Sequence, residues 1–253
     1  MSEQMSIERY LAAGGVLTSP DNATPRYRAE LMKLMATFVD SELAGAAGFA
    51  DIINQAPGIK ERIAAAKIVL EKNDHAFRVL KLMGEFGANT EQYATHHPWT
   101  ARLDRTADIG ATRSDHDMRL AVFNYPLEGW TDAVTMNLLM GRAVTVQLAE
   151  LQMVSYQPLA EQFRSIAPRE ARHAELAEEG LRSLLSDGET RTAVQAAIDY
   201  WWPRVGASFG TSESSKFEFL KTFGLRKTPN VELRTRWEAE AQSILEELGL
   251  KHP

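Results

Sequence analysis

Two short stretches, Lys72-Asn73-Asp74-His75 and Glu170-Ala171-Arg172-His173, each place an ionisable side chain and an imidazole three residues apart. That spacing sets both groups on one face of a helix. The chain has no cysteine, so it can offer no thiolate zinc site or iron–sulfur cluster, and any metal must be held by carboxylates and histidines. A Glu-x-x-His pair is by itself a weak signal, because the two residues fall three apart by chance in many helices. The spacing about two turn signals strengthens it. Glu42 stands 15 residues before Pro57 and Lys72 stands 15 after it, while Gly141 and Glu170 stand 15 before and 14 after Tyr156. If each turn joins two antiparallel helices, all four positions lie at one level. Bundles that bind two irons take one carboxylate from each of two helices and a Glu-x-x-His pair from each of the other two. Two of those six ligands are absent here, replaced by Lys72 and Gly141.

The elements needed to hold this arrangement are readable from periodicity. From Arg26 to about Asn54 the apolar residues Leu31, Leu34, Met35, Phe38, Val39, Leu43 and Ala46 recur at three- and four-residue steps, the pattern of a helix with one buried face. Ala56-Pro57-Gly58 interrupts it, and Ile59 to about Gly84 resumes it through Ile63, Ile68, Leu70, Phe77 and Leu80. Residues 87–129 are polar and irregular, too long for a turn, and read as a crossover carrying short helices. A third helix is expected from about Trp130 to the Ser155-Tyr156-Gln157-Pro158 break, and a fourth to about Leu185. In the tail, one helix is expected from about Thr190 to Trp202, ended by Pro203, and another from about Glu232 to Leu248. Strand-like alternation is almost absent, so the class is all-α: a single ferritin-like domain over 1–253, its core bundle at about 26–187 and a helical extension at 188–253.

Composition narrows the function classes. The 253 residues are 44% hydrophobic and 25% charged, with a net charge of −6. No basic cluster suits nucleic acid or an anionic membrane, and no run of about 18 apolar residues suits a membrane span. The first residues lack a basic segment followed by an apolar one, which reads as a cytoplasmic protein.

Longer motifs in fixed order carry a resemblance. Ser41-Glu42 through Ala56-Pro57 to Asp74-His75, then Phe123-Asn124-Tyr125-Pro126 with Trp130 and Asp132, Ser155-Tyr156-Gln157-Pro158, Glu170-x-x-His173, Trp201-Trp202-Pro203 with Phe209-Gly210, and Glu232-Leu233-Arg234-x-Arg236 resemble the catalytic A subunit of bacterial phenylacetyl-CoA epoxidases. The resemblance implies a di-iron oxygenase of phenylacetate-type catabolism, acting on an acyl-CoA thioester with electrons from an NADPH-dependent reductase. It places Glu42, His75, Glu170 and His173 on metal ligands, and it implies a homo-oligomer, or a hetero-oligomer with a ferritin-like partner subunit. It also shows what is missing: the family's bridging Glu aligns with Lys72 and its third-helix Asp with Gly141.

At about 4 Å two unit charges interact by roughly 4 kcal/mol at an effective dielectric near 20. Lys72 would therefore repel iron while Glu42 and Glu170 welcome its ammonium, which favours a Lys–Glu cluster over a loaded metal centre. Three roles stay open. The chain is an acyl-CoA oxygenase whose ligands are completed elsewhere, for instance by Glu71. It is a metal-free relative comparable to the family's structural C subunit. Or it is a protein in which Lys72, Glu42 and Glu170 bind an acyl-CoA or move protons. Glu71 is expected to face about 100° from Lys72, and Pro168 to kink the fourth helix beside the site. Asn137 is expected to line the site. Gln147, Glu150, His96 and His97 read as surface or structural partners, and Trp201 and Trp202 as packing residues.

Overall fold

The computed structural model describes residues 6–253 except 97, 114–116, 187, 189 and 215. His97, Ser114, Asp115 and Ser215 thus lie outside the described residues, as does the His96 side chain. Nine helices carry the described chain: α1 Ile7–Ala12, α2 Pro25–Ile52, α3 Ile59–Glu85, α4 Thr90–His96, α5 Trp130–Leu151, α6 Gln157–Leu185, α7 Arg191–Ala207, α8 Phe217–Thr222 and α9 Asn230–Glu247. Among the described residues there is no strand, only an isolated bridge between Leu17 and Tyr156. The fold is all-α, a ferritin-like bundle of α2, α3, α5 and α6. No described helix is long and apolar enough to cross a membrane.

Local chemistry sets the helix ends. The Thr24 hydroxyl accepts from Tyr27 N–H and Pro25 occupies the first turn of α2, which satisfies an orphan donor and uses a residue that needs none. A short 3-10 turn, Ile53–Gln55, and the Ala56-Pro57-Gly58 corner then reverse the chain into α3. Gly129, at φ +94°, leads into α5 with a backbone that a side chain would oppose.

Two apolar clusters flank the site level. Tyr27, Leu31, Met35, Val79, Phe163 and Ile166 fill one end between α2, α3 and α6. At the other, Leu138 and Leu139 of α5 meet Ile198, Trp201 and Trp237 of the tail helices. Two indoles tie that tail down: Trp201 Nε1 donates to Asp132 Oδ1 at 2.8 Å and Trp237 Nε1 to the Leu139 carbonyl at 3.0 Å. The crossover carries α4 and a 3-10 turn, Ala121–Asn124, and Leu120 N–H donates to Ser41 Oγ on α2 at 2.9 Å.

Two prolines lie inside helices, and one of them, Pro203, departs from expectation. Pro203 does not end α7, which continues to Ala207, and Pro168 sits inside a continuous α6. Each removes one helical hydrogen bond, but buried residues on both sides, Trp201 and Val205 in α7 and Ile166 and Glu170 in α6, keep the helices seated.

Candidate functional site

The two hairpins bring their polar residues together as the register requires. Lys72 Nζ of α3 donates to Glu42 Oε1 of α2 at 3.0 Å and to both carboxylate oxygens of Glu170 on α6, at 3.2 and 3.1 Å. His75 Nδ1 lies 3.1 Å from Glu42 Oε2 and 3.0 Å from Glu170 Oε1. All four side chains are buried. Burial works against the Lys72 ammonium, but the charges of Glu170 and Glu42 outweigh it and hold its pKa above the usual lysine value. For His75 burial again opposes the charged form, and the hydrogen bonds to Glu170 and Glu42 prevail, raising its pKa. Burial would raise the pKa of Glu170, yet Lys72 and the two imidazoles hold it well below the ordinary carboxylate range. The group is a buried cluster in which an ammonium and an imidazole of raised pKa face two carboxylates.

His173 stands beside it, its ring stacked at 6.1 Å from that of His75. His173 Nδ1 is 3.3 Å from Glu170 Oε1 without a hydrogen-bonding angle, and its Nε2 meets Glu71 Oε2 at 2.6 Å. Glu71 therefore reaches the site although its backbone position faces elsewhere, and it does so on the outer side of His173, away from Lys72's carboxylates. The amide of Asn137 donates to the His173 carbonyl at 3.4 Å. His75 Nε2 is buried without a hydrogen-bond partner. Gln147 and Glu150 lie outside the cluster: Gln147 accepts from Arg226 at 3.0 Å, and Glu150 accepts the backbone N–H groups of Lys227 and Thr228.

These residues do not fit a two-iron centre. Glu42, His75 and Glu170 have potential ligand atoms within 4.8 Å of one another, but the Lys72 ammonium is bonded to the same two carboxylates. At the third-helix ligand position a side chain would meet a tight contact. A Cβ at Gly141 would stand 3.0 Å from Ala174 Cβ and 3.1 Å from Ala174 Cα, so α5 and α6 approach closely there and would have to shift by a few tenths of an ångström to admit one. Gly141 is a helix-packing residue.

Two cavities adjoin the cluster. A small one of about 30 Å³ touches Lys72, Glu170, Asn137 and Gly141, room for roughly one water. A larger one of about 410 Å³ is lined by Glu42, Ser41, Phe123 and Met140, by Arg113, Lys216 and Arg226, and by Lys33 with its partner Glu30 at 2.9 Å. Phe123, Met140 and Val144 line both. Arg113 donates to Thr37 Oγ1 at 2.8 Å and Arg226 to Gln147 Oε1 at 3.0 Å, so both guanidiniums rest on neutral acceptors. Burial, then the charge of Arg226, lowers the Arg113 pKa, and burial lowers that of Arg226 against the opposing pull of Glu150. These arginines were not singled out in the sequence, because they come from the crossover and the loop before α9 and meet only in the fold.

Among curated proteins none matches the chain significantly. The family model described as phenylacetic acid catabolic protein matches residues 5–253, nearly the whole chain. The chain belongs to the phenylacetic acid catabolic protein family.

Proposed function

We propose that this protein binds a coenzyme A thioester as a metal-independent member of its family, within a multi-subunit assembly of phenylacetate-type catabolism. The observation that carries this reading is the Lys72 ammonium, 3.0–3.2 Å from carboxylate oxygens of both Glu42 and Glu170. An ammonium there supplies the positive charge that buried carboxylates need. With its pKa raised, Lys72 is a poor proton abstractor and serves as a fixed donor. An oxygenating di-iron centre would need the Glu42 and Glu170 carboxylates that Lys72 now engages.

The larger cavity supports the ligand class. About 410 Å³ falls within the range of small-molecule sites. Guanidiniums resting on neutral acceptors in its lining suit phosphate oxygens, which accept bidentate charge-assisted bonds. Its inner wall, with Phe123, Met140 and Leu148 beside Glu42, suits an apolar acyl group. The ligand would thus lie with its phosphates at the arginines and its thioester toward the ion cluster.

Two measurements test the reading. Elemental analysis of protein made in iron-supplemented medium and purified without chelator should find iron far below the roughly two atoms per chain of a loaded centre; near-stoichiometric iron overturns metal independence. Phenylacetyl-CoA at a hundredfold excess over its Kd should stabilise the fold by about 2.7 kcal/mol, and Arg226→Gln should abolish most of that shift. No stabilisation by phenylacetyl-CoA or benzoyl-CoA at saturation overturns thioester binding.

A further inference from the structure

The two cavities beside the buried cluster lie on opposite sides of one partition. Glu42 is in the wall of the larger, of about 410 Å³, whereas Lys72 and Glu170 are in the wall of the smaller, of about 30 Å³. Phe123, Met140 and Val144 line both and so stand between them. An apolar cavity of about 150 Å³ takes a benzene ring, so an aryl group fits the larger space and is stopped before the smaller one. Met140 and Val144 both belong to α5. Phe123 alone closes the partition from the crossover side.

The backbone of Phe123 is tied on both flanks. It lies in the 3-10 turn Ala121–Asn124, where its N–H donates to the Leu120 carbonyl at 3.0 Å and the Asn124 carbonyl accepts from Leu103 N–H at 2.7 Å. Leu120 N–H in turn donates to Ser41 Oγ at 2.9 Å, which fastens the turn to α2. The ring edge then reaches α2 at Gly45, where an added Cβ would stand 3.2 Å from Phe123 Cε1. A glycine inside a helix weakens it, and close approach of another group is a physical reason to have one there. On the α2 side the smaller chamber is walled by short residues, Ala44, Gly45 and Gly48. Space beyond the ring therefore exists, and one aromatic side chain shuts it off.

We propose that the Phe123 ring is the end-stop of the acyl site and sets the length of acyl group this protein takes. Compact aryl-acyl groups such as phenylacetyl end against the ring in the larger cavity, and longer ones are rejected because the tied turn and the Gly45 contact leave the ring nowhere to withdraw. This assignment rests on the thioester reading above. It makes Phe123 a specificity-determining residue, separate from the Lys72 cluster that it adjoins.

Isothermal titration calorimetry of the full chain with phenylacetyl-CoA and 4-phenylbutanoyl-CoA tests it, because the two ligands differ by two methylenes alone. Wild-type protein should bind phenylacetyl-CoA roughly tenfold more tightly. Phe123→Ala should raise the affinity for 4-phenylbutanoyl-CoA relative to phenylacetyl-CoA by roughly tenfold, the effect of admitting two methylenes to apolar surroundings. Phe123→Leu, which leaves more of the packing in place, should move the ratio the same way by about threefold. The ratio is taken within each protein, so a loss of stability that weakens both ligands alike drops out. Gly45→Leu added to Phe123→Ala sends a side chain toward the vacated space and should return the ratio to near the wild-type value. A ratio that stays high in that double variant shows that a loosened fold caused the gain, and overturns the assignment. Wild-type protein that binds both thioesters equally, or a ratio unmoved by Phe123→Ala and Phe123→Leu, overturns the end-stop alone. Wild-type protein that binds neither thioester overturns the thioester reading and the end-stop with it.

Discussion

Helices α3 and α6 carry the two halves of the same buried cluster, yet their outer faces are opposites. On α6 the outward residues are charged and pair along the helix, Arg172 with Glu175 and Glu179 at 2.9 Å and Arg182 with Glu178 at 2.6 Å, the ordinary dress of a solvated face. On α3 the outward residues include Ile63, Leu70 and Phe77, while Lys72 and His75 point inward. Helix α3 is thus partly inverted, with charge inside and apolar surface outside. Of the two inversions, only the inner one is met by partners within the fold. Inside, the ammonium is stable because Glu42 and Glu170 arrive from two other helices. Outside, no described residue of the chain covers Ile63, Leu70 or Phe77.

Removing the inner remedy should have the largest effect. Lys72→Met leaves two buried carboxylates facing each other and should destabilise the fold by about 3–5 kcal/mol, measured by urea denaturation. Adding Glu42→Gln and Glu170→Gln to the same chain removes the uncompensated charge, and stability should return to near the wild-type value or exceed it. If the triple variant is as weak as Lys72→Met alone, packing of the lysine stem and not charge balance is what matters. On the α6 side the constraint is steric. Gly141→Ala puts a methyl 3.0 Å from Ala174 Cβ and should cost about 1–3 kcal/mol as overpacking. Ala174→Gly in the same chain should recover part of that loss, since it removes one of the two atoms met, and strictly additive losses would show that the α5–α6 approach is not the cause.

Much of this was readable beforehand, for a physical reason. Helix periodicity and the Pro57 and Tyr156 corners depend on local residues, and α2 and α3 run at 25–52 and 59–85 against expected spans of about 26–54 and 59–84. Equal counting from each corner sufficed to set Glu42 opposite Lys72, because antiparallel helices rise at the same rate per residue. Distances between helices are not local. Gly141 reads in the sequence as a lost ligand, and only the approach of Ala174 shows that its missing Cβ is what lets α5 and α6 close. Glu71 reads as facing away, which is true of its backbone, but its side chain is long enough to reach His173 Nε2. Pro203 reads as a helix end because one hydrogen bond is lost there, whereas the buried indoles of Trp201 and Trp202 hold α7 through it.

The smallest effect separates the two inward groups of α3 by pH. His75 has a raised pKa in the fold, so its contribution is fully present below the unfolded imidazole value of about 6.5 and is lost as pH rises through the folded value. Glu170 is depressed; its contribution is present above the unfolded carboxylate value of about 4.3 and is lost as pH falls through the folded one. Lys72, raised further above the lysine range, stays charged across both windows. The cluster is therefore most stabilising between about pH 4.3 and 6.5. Melting temperatures followed upward from pH 6 to 9 should decline more steeply in wild-type protein than in His75→Gln, which keeps a polar side chain but cannot lose a proton. Parallel curves would show that the imidazole between Glu42 and Glu170 is neutral throughout, leaving Lys72 as the only cation that balances them.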